Sequence, residues 1–231
     1  MPKTAKKAEK GSIVIVSAPS GAGKTSICDA IVKKDKNTVY SISATTRQPR
    51  EGEKNGIEYF FVSVPKFKSM IKGKKFAEWA QVYGNFYGTP KSFLDKTLKS
   101  GKNVLLDIDV QGGINIKKHY TDACMIFIMT PDIKTLEKRL RARNKDSDKV
   151  IKVRLTNAKK EIKSLSKYEY LVINENLNEA IESVSAIIKS SRYKIKKGDY
   201  KLSLRGAEKW HRQQDLWNRR YLNQKWADMK L

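Results

Sequence analysis

Residues 18–25 have the types and the spacing of a loop that binds nucleotide phosphates. Glycines in such a loop allow backbone N–H groups to turn inward and surround phosphate oxygens at the start of a helix. The lysine of the motif, Lys24, reaches the outer phosphates, and the hydroxyl of Thr25 binds magnesium. Ala18 replaces the first glycine of the motif, and its methyl group leaves the phosphate cradle intact. The predicted loop consists of Ala18, Pro19, Ser20, Gly21, Ala22, Gly23, Lys24 and Thr25.

Two aspartates, Asp107 and Asp109, follow an apolar run at residues 104–106. In a doubly wound sheet the ligand lies at the carboxyl ends of the strands. Asp107 is therefore a candidate for holding magnesium together with Thr25, either directly or through water. The alternative is that each aspartate caps a turn. We expect Lys24 to be an exposed loop residue that contributes little to stability.

The apolar runs predict the elements that position these residues. Residues 13–16 form a β-branched run, typical of a central strand buried on both faces, and lead directly into the glycine-rich loop. Apolar residues then recur at helical spacing from Ile27 to Ile31. This strand–loop–helix context is what the motif requires, and it argues against a glycine-rich turn with a chance Gly-Lys-Thr. Further strands are predicted at 104–106, 125–129 and 170–173, and helices at 135–143, 151–165 and 177–188.

The alternation of strands and helices predicts an α/β fold with a doubly wound parallel sheet. Between residues 40 and 102 the sequence changes to short aromatic and polar segments separated by glycines, which predicts an inserted small mixed sheet. Near the C-terminus, Trp210, Trp217 and Tyr221 recur at helical spacing on a basic background. This last pattern predicts an amphipathic helix.

The composition is typical of a water-soluble globular protein with polyanionic partners. Hydrophobic residues make up 39% of the chain, and no apolar run is long enough to span a bilayer. The first ten residues are basic and lack the apolar segment of a secretory signal, so we expect a disordered tail on a cytoplasmic protein. The net charge of +24 favours polyanionic partners, which are nucleotides, nucleic acid or an acidic surface, and does not choose among them. Cys28 and Cys124 are expected to be reduced and buried.

Several segments, in order behind the phosphate loop, resemble the guanylate kinase family. No single segment is specific to this family, but the number of segments and their order are. The resemblance covers about residues 11–189, and the stretch beyond about Tyr193 matches nothing in the family. The segments that carry it are residues 41–52, 55–56, 59–61, 76–80, 83–89 and 106–112.

The resemblance implies an enzyme that uses magnesium and ATP to phosphorylate GMP, giving GDP and ADP, in purine nucleotide metabolism. Glu78 resembles the residue that reads guanine, because a carboxylate accepts hydrogen bonds from both the ring N1–H and the exocyclic amino group. The alternative for Glu78 is a surface acid at the end of a helix. The implied ligands of the GMP phosphate are Arg47, Arg50, Tyr59 and Tyr87, whose guanidinium and phenol groups are suited to phosphate oxygens. The implied GMP site consists of Ser43, Arg47, Arg50, Tyr59, Glu78, Tyr87, Thr89 and Asp109.

Three arginines resemble those of the family's lid, which folds over the transferring phosphoryl group. Arg139 and Arg143 lie four residues apart, hence on one helical face, and Arg154 begins another helix. With Lys24 and Arg47 they form the implied catalytic set, which acts by positioning and charge neutralisation. The alternative for these three arginines is an exposed basic helix face.

The sequence and the resemblance together predict how the chain is divided. The predicted parts are a basic tail at 1–10, a P-loop core at 11–40, 103–134 and 167–195, a GMP-binding subdomain at 41–102, a helical lid at 135–166 and a C-terminal extension at 196–231.

Three other functions remain as alternatives. A non-enzymatic module with a guanylate-kinase-like fold would bind phosphopeptides or acidic partners, but it would be expected to lack the ATP machinery. A P-loop kinase for a phosphorylated sugar would not need Glu78 with Ser43 and Thr89. Nucleic-acid binding, suggested by the charge and by the Trp-rich C-terminal stretch, is compatible with kinase activity. The sequence does not determine the oligomeric state or the use of dGMP.

Overall fold

A computed structural model of the chain describes residues 11–82, 84–142, 147–191 and 193. Contacts divide the chain at Tyr193, and the fold described below belongs to the unit Met1–Arg192. The predicted N-terminal tail, the amphipathic helix of the C-terminal extension and Arg143 lie outside the described residues. None of the described helices is both long enough and apolar enough to cross a bilayer.

A parallel sheet of five strands forms the core, in the order β2-β7-β1-β8-β9. Residues of β1 are buried on both faces of the sheet, which explains the continuous β-branched run in the sequence. The strands are β1 (Ile13–Ser17), β2 (Thr38–Tyr40), β7 (Asn103–Asp107), β8 (Cys124–Met129) and β9 (Tyr170–Ile173).

Helices cover both faces of this sheet, as the doubly wound prediction requires. On one face Val14 and Val16 pack with α1 (Lys24–Lys34), α5 (Ile133–Ala142), α6 (Asp148–Ile162) and α7 (Leu177–Ser191). On the other face Ile13 and Ile15 pack with α3 (Lys91–Lys99) and α4 (Val110–His119). The alternation along β1 therefore divides its side chains between two apolar layers.

A second sheet of four strands is inserted between β2 and β7, in the order β4-β3-β6-β5. It is mixed, because β3 runs parallel to β4 but antiparallel to β6. The buried Phe67 ring packs between Phe76 and Phe86, with ring centroids 4.5 and 5.5 Å away. Gly88 lacks a side chain where a Cβ would lie 2.9 Å from Phe76. The elements are β3 (Ser43–Thr45), β4 (Tyr59–Phe61), α2 (Val64–Lys72), β5 (Phe76–Val82) and β6 (Asn85–Pro90).

Within the described residues the predicted core strands and helices exist, but several of their ends were wrong. The helix predicted at 151–165 is α6, which runs from Asp148 to Ile162 and is followed by a short 3-10 helix, Leu165–Lys167. Arg154 therefore lies within α6 and does not begin it. Strand β2 was not predicted, because three residues are too few to produce a clear hydrophobic period. Cys28 and Cys124 are both buried, and neither forms a disulfide, which confirms that expectation.

The position of a leucine in this sheet determines the stability that it contributes. Leu105 is 0% exposed in β7, an inner strand of the core sheet, whereas Leu171 is 47% exposed on the edge strand β9. We expect Leu105→Ala to lower the free energy of unfolding by about 2–5 kcal/mol, because it leaves a cavity. The matched variant Leu171→Ala should change it by only about 0.5 kcal/mol. Urea unfolding measures both values, and equal losses would contradict this assignment of the core.

Candidate active site

The phosphate loop joins β1 to α1, and its glycines adopt a backbone conformation that other residues rarely use. Gly21 has a φ of 98° and Gly23 a φ of 91°, both in the left-handed region. A Cβ on Gly23 would also collide with the side-chain amide of Asn174. That amide donates a 2.7 Å hydrogen bond to the backbone oxygen of Ala22. Asn174, which sequence analysis did not predict, thus holds the loop from the carboxyl end of β9.

Lys24 is not an exposed loop residue, so that expectation was wrong. It is the first residue of α1, and its side chain is 19% exposed. Its ammonium group lies 2.5 Å from Asp107 Oδ1 and donates a 3.1 Å hydrogen bond to the backbone oxygen of Ile108. Burial by itself lowers the pKa of Lys24, but the neighbouring Asp107 carboxylate raises this pKa above its ordinary value. The lysine is therefore charged and held at the end of β7.

Asp107 also accepts hydrogen bonds from two hydroxyl groups at its other oxygen, Oδ2. The Thr25 hydroxyl lies 3.2 Å from this oxygen, and the Tyr40 hydroxyl lies 2.7 Å from it. Thr25 and Asp107, the two predicted metal ligands, are therefore neighbours. Tyr40 was not predicted, because its 67-residue separation from Asp107 hides the contact in the sequence.

The oxygen atoms of Thr25 and Asp107 fit a magnesium ion that binds together with a nucleotide. Magnesium prefers oxygen ligands, usually keeps several waters and is bound by one or two carboxylates plus substrate phosphates. Within the described part of the chain there is no group of three or more His, Cys, Asp or Glu side chains placed to hold a metal. The donor set suits a metal delivered with phosphate better than a permanently bound ion.

The predicted phosphate ligands of GMP line one cavity of about 1000 Å³, and Thr25 and Asp107 line the same cavity. The register of the second sheet explains why they meet. Ser43 pairs with Tyr59 and Thr45 pairs with Tyr87, so these side chains share one face of the sheet. The predicted residues on this cavity are Ser43, Arg47, Arg50, Tyr59 and Tyr87.

Arg47 is held in place by an acid that sequence analysis did not predict. One nitrogen of its guanidinium group lies 2.9 Å from both carboxylate oxygens of Glu53, and the group lies over the Tyr59 ring at 5.4 Å. Glu53 also accepts a 2.8 Å hydrogen bond from the backbone of Arg50. The hydrogen bond to Glu53 raises the pKa of Arg47, so the guanidinium group is a fixed cation on the cavity wall.

Glu78 lies in strand β5 and is 8% exposed, so the alternative of a surface acid at a helix end was wrong. The Thr89 hydroxyl donates a 2.7 Å hydrogen bond to Glu78 Oε1. Burial raises the pKa of Glu78 to about 7; the bond from Thr89 opposes this effect, and the charge of Asp109 adds to it. Continuing the register of β3 and β6 by one residue places Ser43 opposite Thr89. Ser43, Thr89 and Glu78 therefore form a polar row across three strands.

Asp109 occupies the N-cap position of α4, as the turn-capping alternative stated. Its carboxylate accepts hydrogen bonds from the backbone of Gln111 at 2.7 Å and of Gly112 at 3.1 Å. Asp109 lines a separate cavity of about 580 Å³, together with Glu161 of α6. The structure therefore does not bring Asp109 onto the cavity that holds Arg47. Burial also raises the pKa of Glu161 to about 7.

Of the predicted lid arginines, Arg154 contacts the phosphate loop. Its guanidinium group donates a 2.6 Å hydrogen bond to the Ser20 hydroxyl. Arg139 instead donates a 3.3 Å hydrogen bond to the backbone oxygen of Glu175. Arg141 turns away and pairs with Glu137 and Asp148 on the surface. Arg143 lies outside the described residues, so the structure does not test its position.

A phosphate loop at the end of the first core strand, an aspartate beside its lysine, and arginines that follow a strand of an inserted sheet together define a P-loop kinase of nucleoside monophosphates. The family model for guanylate kinases matches residues 10–191. The chain therefore belongs to the guanylate kinase family, whose members transfer phosphate between ATP and GMP.

Known relatives agree over most of the chain. A guanylate kinase of Carboxydothermus hydrogenoformans is 43% identical over 198 residues, covering 86% of this chain and 97% of that protein. One from Rickettsia conorii is 44% identical over 185 residues, covering 80% of this chain and 81% of that protein. The crystal structure of guanylate kinase from Anaplasma phagocytophilum has a TM-score of 0.67 and 32% sequence identity, covering 80% of this chain and 88% of that one.

The raised pKa of Glu78 predicts that stability depends on pH in a definite direction. In the folded state the pKa is about 7, whereas an exposed glutamate in the unfolded chain has a pKa of about 4.3. Between these values the folded state binds the proton and the unfolded state does not, so the free energy of unfolding falls as the pH rises. The stabilisation that comes from proton binding at Glu78 is fully lost above the folded pKa. Glu78→Gln has no titrating group at this position and so removes this pH dependence.

We therefore expect the parent to lose on the order of 1–3 kcal/mol more stability than Glu78→Gln between about pH 5 and about pH 8. Urea unfolding at several pH values measures this difference. Glu161 contributes in the same direction but is present in both proteins, so its effect cancels. Glu182→Gln, at an exposed position of α7, serves as the control and should keep the slope of the parent. Equal slopes for Glu78→Gln and the parent would contradict the assigned pKa.

Proposed function

We propose that this chain binds ATP at the phosphate loop and GMP against the second sheet, and transfers the γ-phosphoryl group between them with magnesium, giving GDP and ADP. The observation that carries this proposal is the shared cavity. Thr25 and Asp107, from the loop and core strand, line the same space as Arg47, Tyr59 and Tyr87 from the inserted sheet. In-line phosphoryl transfer requires the two substrates to meet at one such place.

On the ATP side, residues 18–23 surround the phosphates with backbone N–H groups, as helix N-termini with left-handed glycines do. Lys24 exchanges its bond to Asp107 for a bond to the β and γ oxygens, where it neutralises developing charge. Thr25 and Asp107 hold the magnesium ion. When bound, the ion supplies charge neutralisation at the phosphate oxygens. The Lys24–Asp107 pair supports this role, because it keeps the lysine charged and close to the loop before nucleotide binds.

On the GMP side, Arg47, Arg50, Tyr59 and Tyr87 bind the phosphate, and Glu78 reads the guanine edge. Ser43 and Thr89 support Glu78 across the sheet, and Asp109 faces GMP after closure of the site. The buried position of Glu78 supports this role, because a buried carboxylate can accept more hydrogen bonds than the one that Thr89 donates to Oε1, and burial favours partners that supply them. Guanine supplies two donors fixed on one planar edge, whereas adenine pairs a donor with an acceptor and the hydroxyl groups of a sugar phosphate are not fixed in such a plane. The sugar-phosphate alternative is therefore the weaker proposal.

Arg139, Arg143 and Arg154 are proposed to act from a lid that closes when both substrates are present, which excludes water. The Arg154–Ser20 hydrogen bond supports this role for Arg154, since it already spans from α6 to the phosphate loop. The division of the chain into core, GMP-binding subdomain and lid remains a prediction at the boundaries given above. Location in the cytoplasm and a part in purine nucleotide metabolism are likewise predictions.

Lys24→Met tests the ATP side of this proposal. The variant removes the cation that neutralises phosphate charge, so we expect turnover of GMP to fall by about 10² to 10³-fold. Since Lys24 pairs with the partly buried Asp107, the free energy of unfolding should also fall, by about 1–3 kcal/mol. Steady-state kinetics and thermal melting measure the two effects. Lys34→Met, at an exposed position later in α1, should change neither, and parental turnover in Lys24→Met would refute the phosphate-loop assignment.

Glu78→Gln tests the guanine-reading role. The substitution keeps the size of the side chain but replaces one acceptor with a donor that faces the donors of guanine. We expect kcat/KM for GMP to fall about a hundredfold, which corresponds to about 3 kcal/mol, while AMP remains a poor substrate. ATP affinity should hardly change, because the phosphate loop is a separate site.

The kinetic control is again Glu182→Gln, which should keep the parental preference for GMP. If Glu78→Gln used GMP as efficiently as the parent, or if the parent preferred AMP or UMP, Glu78 would not be the residue that selects guanine. The broader assignment to phosphoryl transfer would survive that result.

A further inference from the structure

Tyr40 makes a contact to Asp107 for which the proposed mechanism so far has no role. Its hydroxyl donates a 2.7 Å hydrogen bond to Asp107 Oδ2, the same oxygen that the Thr25 hydroxyl approaches at 3.2 Å. Tyr40 is the last residue of β2, and its backbone pairs with Leu105, two residues before Asp107 on β7. The ring packs beside the apolar core, and the residue lines the cavity of about 1000 Å³.

The origin of each donor to Asp107 distinguishes Tyr40 from the other two. Lys24 and Thr25 both belong to the first turn of α1, directly after the phosphate loop. When nucleotide binds as proposed above, Lys24 turns to the phosphates and leaves Asp107 Oδ1. Among the described residues with hydrogen bonds to this carboxylate, Tyr40 alone comes from a different element. Its bond can persist through the change.

The direction of the hydrogen bonds also bears on metal binding. Asp107 is a carboxylate and only accepts, so both hydroxyl groups donate to it. A Thr25 hydroxyl that donates its proton to Asp107 keeps its lone pairs for a cation. A strand-end aspartate can otherwise rotate about its side-chain bonds, and each fixed donor restricts that rotation. Groups that orient metal-binding carboxylates typically contribute strongly to metal affinity.

We propose that Tyr40 is a positioning residue that holds Asp107 in the orientation in which Asp107 and Thr25 bind the magnesium–nucleotide complex. This inference rests on the proposed roles of Thr25 and Asp107. It gives Tyr40 no contact with the reacting atoms, because the residue acts through Asp107. The role of Tyr40 therefore differs from that of Tyr59 and Tyr87, which are proposed to bind GMP, although all three tyrosines line one cavity.

Tyr40→Phe removes the hydroxyl and keeps the ring. The protein is titrated with ADP in a calorimeter, once with magnesium present and once with the metal removed by a chelator. The ratio of the two affinities measures how much magnesium strengthens ADP binding. For the parent we expect a clear gain in affinity with magnesium. For Tyr40→Phe that gain should shrink about tenfold, while the affinity for metal-free ADP stays unchanged. In steady-state kinetics the magnesium concentration for half-maximal turnover should rise, and KM for GMP should stay at the parental value.

Tyr120→Phe is the matched control. Tyr120 is another partly buried tyrosine whose pKa is raised by burial and by a neighbouring aspartate, Asp95, but it lies at the far end of α4. Its variant should keep the full effect of magnesium on ADP affinity. Thermal melting of both variants shows whether either change disturbs the fold.

The outcomes separate this inference from the proposed function. If magnesium strengthens ADP binding equally in the parent and in Tyr40→Phe, Tyr40 has no positioning role. If Tyr40→Phe weakens ADP binding equally with and without magnesium, together with a lower melting temperature, its role is structural and the inference is also wrong. If magnesium has no effect on ADP binding in the parent itself, the metal role of Thr25 and Asp107 fails first.

Discussion

The ion pair between Lys24 and Asp107 is the interaction on which the rest of the site depends. Both side chains are largely buried, with 19% and 12% of their surfaces exposed. A charge in such surroundings is costly unless it is paired and hydrogen-bonded. The parallel pairing of β1 and β7 places Val16 beside Asp107, so the aspartate necessarily lies next to the start of the phosphate loop. The geometry of the core sheet thus creates the pair, and the pair fixes the first turn of α1.

The loop itself is held from a second direction by Asn174. This residue follows β9 at the edge of the same sheet, and its amide bonds the backbone of Ala22. Because Gly23 has no side chain, the amide can approach the loop closely. The phosphate cradle is therefore supported from the ends of two strands, β7 and β9, which lie on opposite sides of β1. Such support preorganises the loop before a phosphate arrives, which reduces the entropy lost on binding.

The inserted sheet organises a different chemistry by the register of its strands. Tyr59, Ser43, Thr89 and Glu78 follow one another across four paired strands. One row therefore runs from a phenol group to a buried carboxylate. Glu53 fixes Arg47 beside this row, and a phosphate must compete with that carboxylate for the guanidinium group. In the proposed complex, the hydrogen-bond donors of guanine favour the ionised form of Glu78, which opposes the effect of burial on its pKa.

Local patterns in the sequence were sufficient to predict the phosphate loop and the two-sheet α/β fold. The motif at residues 18–25 is contiguous, and the apolar runs report burial directly. Glycines with left-handed backbone conformations are also a local requirement, so their positions could be read without knowing the fold. The resemblance to a family supplied the residues of the GMP site, and strand register explains why Ser43, Tyr59 and Tyr87 among them share one face of the inserted sheet.

Only the tertiary structure decided which distant side chains support those residues. Tyr40 lies 67 residues from Asp107, Arg154 lies 134 residues from Ser20, and Asn174 lies 152 residues from Ala22. Each contact depends on how distant strands and helices pack together, which no local pattern encodes. The burial of Lys24 was mispredicted for the same reason, because its partner comes from a neighbouring strand. The sequence by itself determined the chemistry that the chain carries, and chain packing determined how that chemistry is oriented and charged.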